Sequence, residues 1–268
     1  MPKKASELTM PRAATMMIYG DNTAGKSTSV VKTAPKPLLI LDVDNRPQTY
    51  AGMKGVEYEI YKNSGRTATA YRELSKDLRT LSREKDLKYN TIALDSTTSL
   101  LDIITDDILG LGGKGSGAHE GLDLKHWGSV DERFRKLFGY LKGFDCLGIA
   151  ISHEQIFKDD TTGAITYATM RVGKKISTKA PGYFDEIYRA FVEKDRRTDE
   201  RRYLFQTQRD GRYPARTSYN LHDEEGETYP ILDVEEPQDI SAILNKIERG
   251  LEKPEETLKR LKKEREQS

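Results

Sequence analysis

The chain has 268 residues and a net charge of +1, with 36% hydrophobic and 32% charged residues. That length allows one large domain with appendages, and the high charge predicts that part of the chain is solvated arm, loop or tail. A single cysteine, Cys146, excludes an intramolecular disulfide. No apolar stretch reaches the length of a membrane helix, and the near-zero net charge confines any nucleic-acid contact to a local basic site. These traits predict a reducing, cytoplasmic setting with no membrane partner.

Residues 1–12 carry Lys3, Lys4 and Arg12 but lack the apolar core of a secretory signal, so a flexible arm is expected. Ala13 to Tyr19 reads as a buried strand. Gly20-Asp21-Asn22-Thr23-Ala24-Gly25-Lys26-Ser27 follows it, and Lys26 to Lys32 can begin a helix. This is the P-loop pattern G-x-x-x-x-G-K-[ST] in strand–loop–helix context. Gly20 and Gly25 let the backbone wrap a phosphate, while the loop amides and the helix N-terminus point at the anion. The expected nucleotide-binding residues are Gly20, Asp21, Asn22, Thr23, Ala24, Gly25, Lys26, Ser27 and Thr28. Lys26 supplies charge to the β- and γ-phosphates, and the Ser27 hydroxyl is placed to ligate Mg²⁺.

Pro37 to Asp42 is a second buried strand, running into Asp42-Val43-Asp44. Residues 56–61 alternate and read as an edge strand. Residues 67–88 read as a helix from the spacing of Tyr71, Leu74, Leu78 and Leu81. Tyr89 to Leu94 is a third core strand ending in Asp95-Ser96, the Walker B pattern, whose Asp95 acts on Mg²⁺. Thr97 to Leu109 is helical. The glycine-rich stretch 110–121, containing Lys114, is either a passive linker or a mobile functional loop.

A helix is expected over 125–143, with Trp127, Val130, Phe134, Leu137 and Leu141 on one face. Cys146 to Ser152 is the fourth core strand. It ends at His153-Glu154, beside the P-loop in a parallel sheet and within reach of a γ-phosphate. Residues 156–170 form a hairpin that turns at 159–163. Residues 171–182 hold Arg171, Lys174, Lys175 and Lys179 with no acid, as a solvated loop or a contact to a phosphate backbone. Strands follow at Phe184–Val192 and Arg202–Thr207, then a turn at Asp210-Gly211 leading to Arg212 and Arg216. After residue 234 two charged helices, Asp239–Arg249 and Glu255–Glu266, are expected as an exposed tail or a partner-binding arm.

Taken in order, the P-loop, the strand ending in Asp42-Val43-Asp44, the strand ending in Asp95-Ser96 and the strand ending in Ser152-His153 resemble the RecA family of recombination ATPases over residues 13–217. Within it, the small size and the histidine are most similar to phage-encoded RecA-like single-strand-annealing ATPases with an AAA-type ATP-binding domain. The resemblance implies an α/β fold: a RecA-like P-loop NTPase core with a central, mostly parallel sheet flanked by helices, C-terminal β-hairpins and a helical tail. It implies a flexible arm at 1–12, the ATPase core at 13–234 and the tail at 235–268. It implies ATP hydrolysis with Mg²⁺, Asp44 as the catalytic carboxylate and His153 as the γ-phosphate sensor. The family usually has Glu where Asp44 stands. Single-stranded DNA loops would fall at 110–121, with Lys114, and at 171–182, with Arg171, Lys174, Lys175 and Lys179. Partners implied are single-stranded DNA, further copies of the chain in a ring or filament with Arg212 or Arg216 acting in trans, and a single-strand-binding protein. A kinase or other small-molecule P-loop enzyme, a hexameric helicase-type motor and a non-enzymatic ATP-set binding module are the alternatives.

Overall fold

The structure, a computed structural model, describes residues 14–64, 67–110, 122–172, 174–195 and 197–267, and only the backbone of 124, 174 and 175. The arm at 1–12 and Lys114 lie outside the described residues. Strands β1 (Thr15–Gly20), β2 (Leu38–Asp42), β3 (Val56–Ile60), β4 (Thr91–Asp95) and β5 (Leu147–Lys158) alternate with helices α1 (Lys26–Thr33), α2 (Ala70–Leu81), α3 (Thr97–Leu109) and α4 (Leu124–Lys142). The rest comprises β6 (Ile165–Met170), α5 (Lys174–Lys179), β7 (Glu186–Lys194), β8 (Arg201–Gln206), β9 (Asn220–His222), β10 (Thr228–Pro230), β11 (Glu235–Pro237), α6 (Ile240–Glu252) and α7 (Pro254–Glu266).

The main sheet runs β11-β8-β7-β1-β5-β4-β2-β3, with β6 attached to β5. From β3 to β7 every pairing is parallel, whereas β8 and β11 join antiparallel. The fold is thus the expected RecA-like P-loop core. Parallel strands are covered on both faces, which is why β1, β2 and β4 read as nearly continuous apolar runs. One face packs Met17, Leu39, Ile92 and Ala150 under α2, α3 and α4. The other packs Met16, Ile18, Leu38, Ile40 and Ile149 against α1 and α6. Cys146 is buried, as a small apolar residue would be.

Three segments differ from the sequence reading. The fourth core strand does not stop at His153; β5 continues to Lys158 because its second half pairs with β6 as a hairpin. The basic stretch 171–182 is not a loop but α5 and a 3-10 turn at Ala180–Tyr183. Val172, Ile176 and Ala180, spaced four apart, are all buried and anchor it to the core. The C-terminal segment is only half exposed. α7 buries no residue, but α6 buries Ile240, Ile243 and Ile247 against α1, each side chain contributing about 2 kcal/mol as an upper estimate. β11 also closes the edge of the main sheet.

At the far end of the sheet from the P-loop, Glu186 is 1% exposed and accepts hydrogen bonds from Ser218 N (2.6 Å) and Tyr188 Oη (2.5 Å). Burial outweighs these bonds and pushes its carboxyl up to about 7 from 4.5. A raised carboxyl pKa costs nothing while both states are protonated, below about 4.5. The cost develops as pH rises towards 7 and is constant above it. Urea unfolding of Glu186→Gln and wild type should therefore diverge between pH 4.5 and 8, the variant gaining by up to about 3 kcal/mol. A difference that stays flat across that range would contradict this.

Candidate functional site

The site lies at the C-terminal ends of β1, β2, β4 and β5, where ligands bind in open α/β sheets. Gly20 ends β1, next to His153 of β5 on one side and Ala190 of β7 on the other. A Cβ at Gly20 would collide with the carbonyl oxygen of Ala190. Gly25 caps α1 with φ +81°, and a Cβ there would lie 2.9 Å from the Tyr203 ring and 3.0 Å from Gln238 Oε1. Both positions therefore need glycine for reasons of space as well as conformation. The first turn of α1 has no side-chain cap and no acid, so its amides remain directed at the loop. These features fit a phosphate chain.

Lys26 is buried, and its Nζ donates to the carbonyls of Gly20 (2.9 Å) and Asp21 (2.7 Å). Burial lowers its pKa, opposed by Asp95, Asp21, Glu154 and Asp44. The Ser27 side chain lies beside Asp95 at the end of β4. Burial pushes the Asp95 carboxyl up to about 6, helped by Asp44 and Asp42 and resisted by Ser27 and Lys26. Ser27 and Asp95, one hydroxyl and one carboxylate side by side at the foot of the loop, form a donor set that suits Mg²⁺.

Asp42 and Asp44 leave β2 in opposite roles. Asp42 is 1% exposed and accepts from Asn45 N, Arg46 N and Tyr50 Oη, so it folds the loop after β2. Asp44 faces the site. Its Oδ1 accepts from Ser96 Oγ (2.6 Å) and Ser99 Oγ (2.5 Å), and His153 Nε2 lies 3.7 Å from Oδ2. Burial alone would raise this carboxyl, but the nearby His153 ring and the hydrogen bonds from Ser96 and Ser99 hold it well below the usual carboxylate range. His153 Nδ1 is buried with no partner among the described residues. The His153 backbone is fixed at both ends: its N–H donates to Thr98 Oγ1 (3.0 Å) and its carbonyl accepts from Arg171 N (2.7 Å).

The remaining sequence candidates are spread apart. Arg171 begins the basic segment and is exposed; α5 carries the backbone of 174 and 175; Lys179 pairs with Asp131 at 3.0 Å. Arg216 donates to the carbonyls of Pro181 and Phe184 and bridges Ile187, near the start of β7 and away from the P-loop. Arg212 is exposed after the Asp210 turn, where Asp210 accepts from the amides of residues 212 and 213.

Two contributors escaped sequence reasoning. A cleft of about 510 Å³ beside the P-loop is lined by Thr28, Lys32, Tyr203 and Gln238 among others. Gln238 Nε2 donates to Ala24 O (2.8 Å), and Ser29 Oγ donates to Gln238 O (3.0 Å), tying the C-terminal segment to the loop. On the opposite face of the sheet, Arg189 pairs with Glu154 at 3.1 Å and stacks 3.5 Å above the Tyr213 ring. Only the position of Glu154, directly after His153, could have pointed to that pair.

This fold and this site define a P-loop ATPase with a RecA-like core. The chain belongs to the AAA domain family (AAA_24), whose profile matches residues 12–219. No curated protein sequence matches it. Among solved structures it is similar to the RadB recombinase at 11% identity, covering 75% of this chain and 83% of that one, with a TM-score of 0.42. It is also similar to a KaiC-like protein from Pyrococcus horikoshii OT3 (13%, 82% and 85%, TM-score 0.40). A third is the flagellar accessory protein FlaH from Methanocaldococcus jannaschii (9%, 83% and 87%, TM-score 0.39). The class rests on strand order, P-loop geometry and the family match, not on these overlaps.

Asp95 must lose its proton before it can face a cation. Affinity for Mg²⁺-nucleotide, measured by titration calorimetry, should be level above pH 7 and fall by up to about tenfold per unit below 6. Asp95→Asn should bind weakly without that dependence. A wild-type profile flat from pH 5 to 8 would remove Asp95 from the cation site.

Proposed function

We propose that this protein hydrolyses ATP to control its grip on single-stranded DNA in recombination or repair, as the phage-type annealing ATPases it resembles are expected to do. The observation that carries the reading is the convergence of Lys26, Asp95, Asp44 and His153 on one edge of the sheet, with the His153 carbonyl bonded to the amide of Arg171. Nucleotide chemistry and the basic segment thereby share one backbone link.

Residues 20–28 bind the triphosphate through backbone amides, and Lys26 contributes a fixed positive charge. Ser27 and Asp95 would hold Mg²⁺, which when bound neutralises phosphate charge. Asp44, held far below the usual carboxylate range, is a poor proton acceptor. Its role is to orient the attacking water and His153, in keeping with sites where positioning and charge stabilisation supply most of the rate. His153 contacts the γ-phosphate and relays its presence along β5. Hydrolysis requires assembly, since a cation from a neighbouring copy completes the site. Arg212, exposed after its turn, suits that role better than Arg216, which is spent on its own backbone carbonyls.

The test is ATP turnover and DNA affinity in parallel. Lys26→Ala should abolish hydrolysis. Asp44→Asn should lower kcat roughly 100-fold while ATP affinity changes little. A non-hydrolysable ATP analogue should raise affinity for single-stranded DNA in the wild type. Turnover that needs a small phosphate acceptor would point to a kinase, and nucleotide binding with no affinity for any polynucleotide would end the DNA reading.

A further inference from the structure

The cleft beside the P-loop holds side chains that the phosphate chemistry does not use. It runs from Thr23 and Gly25 of the loop, along Thr28 and Lys32 of α1, to Tyr203 and Gln238, and no acid lines it. Sheet order decides which end of a nucleotide it can receive. Asp44 follows β2, and Asp95 and His153 belong to β4 and β5, all on one side of β1. Tyr203 is on β8 and Gln238 follows β11, both on the other side. A triphosphate wrapped on the loop with its γ end at Asp44 and His153 therefore sends its nucleoside towards the cleft. At about 510 Å³, the cleft has the size of a small-ligand site.

Gln238 is held in one orientation. Its Nε2 donates to three carbonyls, Ala24 O (2.8 Å), Leu204 O (3.0 Å) and Phe191 O (3.4 Å). Turning the amide over would set its oxygen against three acceptors, so the donor end is committed to the protein. The Gln238 backbone is pinned as well, its N–H donating to Tyr203 O (3.1 Å) and its carbonyl accepting from Ser29 Oγ (3.0 Å). Among the described residues, every hydrogen bond of the Gln238 side chain runs from Nε2. Oε1 is left on the Gly25 side as an acceptor without a donor. Tyr203 is 43% exposed, with its ring edge beside Gly25.

A purine base meets both features: a π-face for the Tyr203 ring and a polar edge for Oε1. In adenine the base-edge donor is the 6-amino group; a 6-keto purine presents oxygen there, acceptor against acceptor. We infer that Tyr203 and Gln238 form the base subsite of the nucleotide site, and that Gln238 Oε1 selects a 6-amino over a 6-keto purine. The inference rests on the ATP reading above. It adds that the choice of nucleotide is made by the same C-terminal segment that ties down the loop carbonyl of Ala24.

The experiment measures binding of ATP, inosine triphosphate, purine riboside triphosphate and inorganic tripolyphosphate to the full chain with Mg²⁺, by titration calorimetry. The wild type should bind ATP roughly 5-fold or more tighter than inosine triphosphate, with purine riboside triphosphate, which has no 6-substituent, between them. Gln238→Met keeps the side-chain length and removes the acceptor, so its affinities for ATP and inosine triphosphate should converge to within roughly twofold. That substitution also strips a donor from the loop, so Tyr203→Ala supplies an independent test. It should weaken ATP and inosine triphosphate alike, by roughly 5-fold or more, and leave tripolyphosphate affinity unchanged. Equal binding of ATP and inosine triphosphate by the wild type would overturn the selection by Gln238. Tyr203→Ala that binds ATP as the wild type does would overturn the subsite. Either result, with tripolyphosphate still bound, leaves the P-loop reading standing. A wild type that binds neither nucleotide nor tripolyphosphate would overturn the ATP reading itself.

Discussion

Asp44 is the point where the chain leaving β2 meets the end of β4 and the middle of β5. One oxygen takes hydrogen bonds from Ser96, the cap of α3, and from Ser99 in its first turn, while the other faces His153 on β5. Hydrogen bonds to a charged acceptor are roughly twice as strong as neutral ones, and several on one carboxylate fix its direction. The loop after β2 is held from beneath by Asp42, so Asp44 has little freedom to leave. The consequence reaches along the chain. The His153 backbone sits between Thr98 and Arg171, and the β5–β6 hairpin begins at that point. A change at the phosphate end of the site therefore meets a packed, hydrogen-bonded strand and not a slack loop.

The P-loop helix is supported from the other side by sequence that lies more than 200 residues away. Gln238 bonds the loop carbonyl of Ala24, Ser29 bonds Gln238, and Ser241 Oγ donates to Thr33 O at 2.6 Å, satisfying a carbonyl at the C-terminal end of α1. Three buried isoleucines of α6 complete the contact. α7 adds Leu258 and Leu261, partly buried against the same cluster, and ion pairs of Lys262 with Asp223 and of Arg265 with Glu227, the exposed pair worth little. The C-terminal segment is therefore two things: a clamp on the nucleotide loop, then an exposed charged helix.

The core and the phosphate cradle were legible because local rules decide them. Buried parallel strands write themselves as apolar runs, and only a glycine-framed loop ahead of Lys26 can wrap a phosphate. Asp44, Asp95 and His153 could be placed because each lies level with the C-terminal edge of the parallel strands: Asp95 ends β4, Asp44 follows the end of β2, and His153 pairs with Gly20, the last residue of β1. What stayed hidden depends on distant contacts. Nothing near Gln238 or Tyr203 marks them as neighbours of Gly25. The helix at α5 was obscured because its basic residues read as solvated, although Val172, Ile176 and Ala180 already held the helical period. The reach of β5 past His153 follows from pairing with β6, which alternation in the second half of the strand only hints at. Arg216 could not be judged from its sequence position, because its engagement with Pro181 and Phe184 is a property of the folded chain.

The claim on which the rest depends is that His153, poised between Asp44 and the hairpin, passes the state of the nucleotide to the proposed DNA-binding segment. The most direct measurement is the affinity of His153→Ala for single-stranded DNA, with and without a non-hydrolysable ATP analogue. The prediction is a variant that binds both ligands but whose DNA affinity no longer responds to nucleotide. A response equal to that of the wild type would contradict the claim.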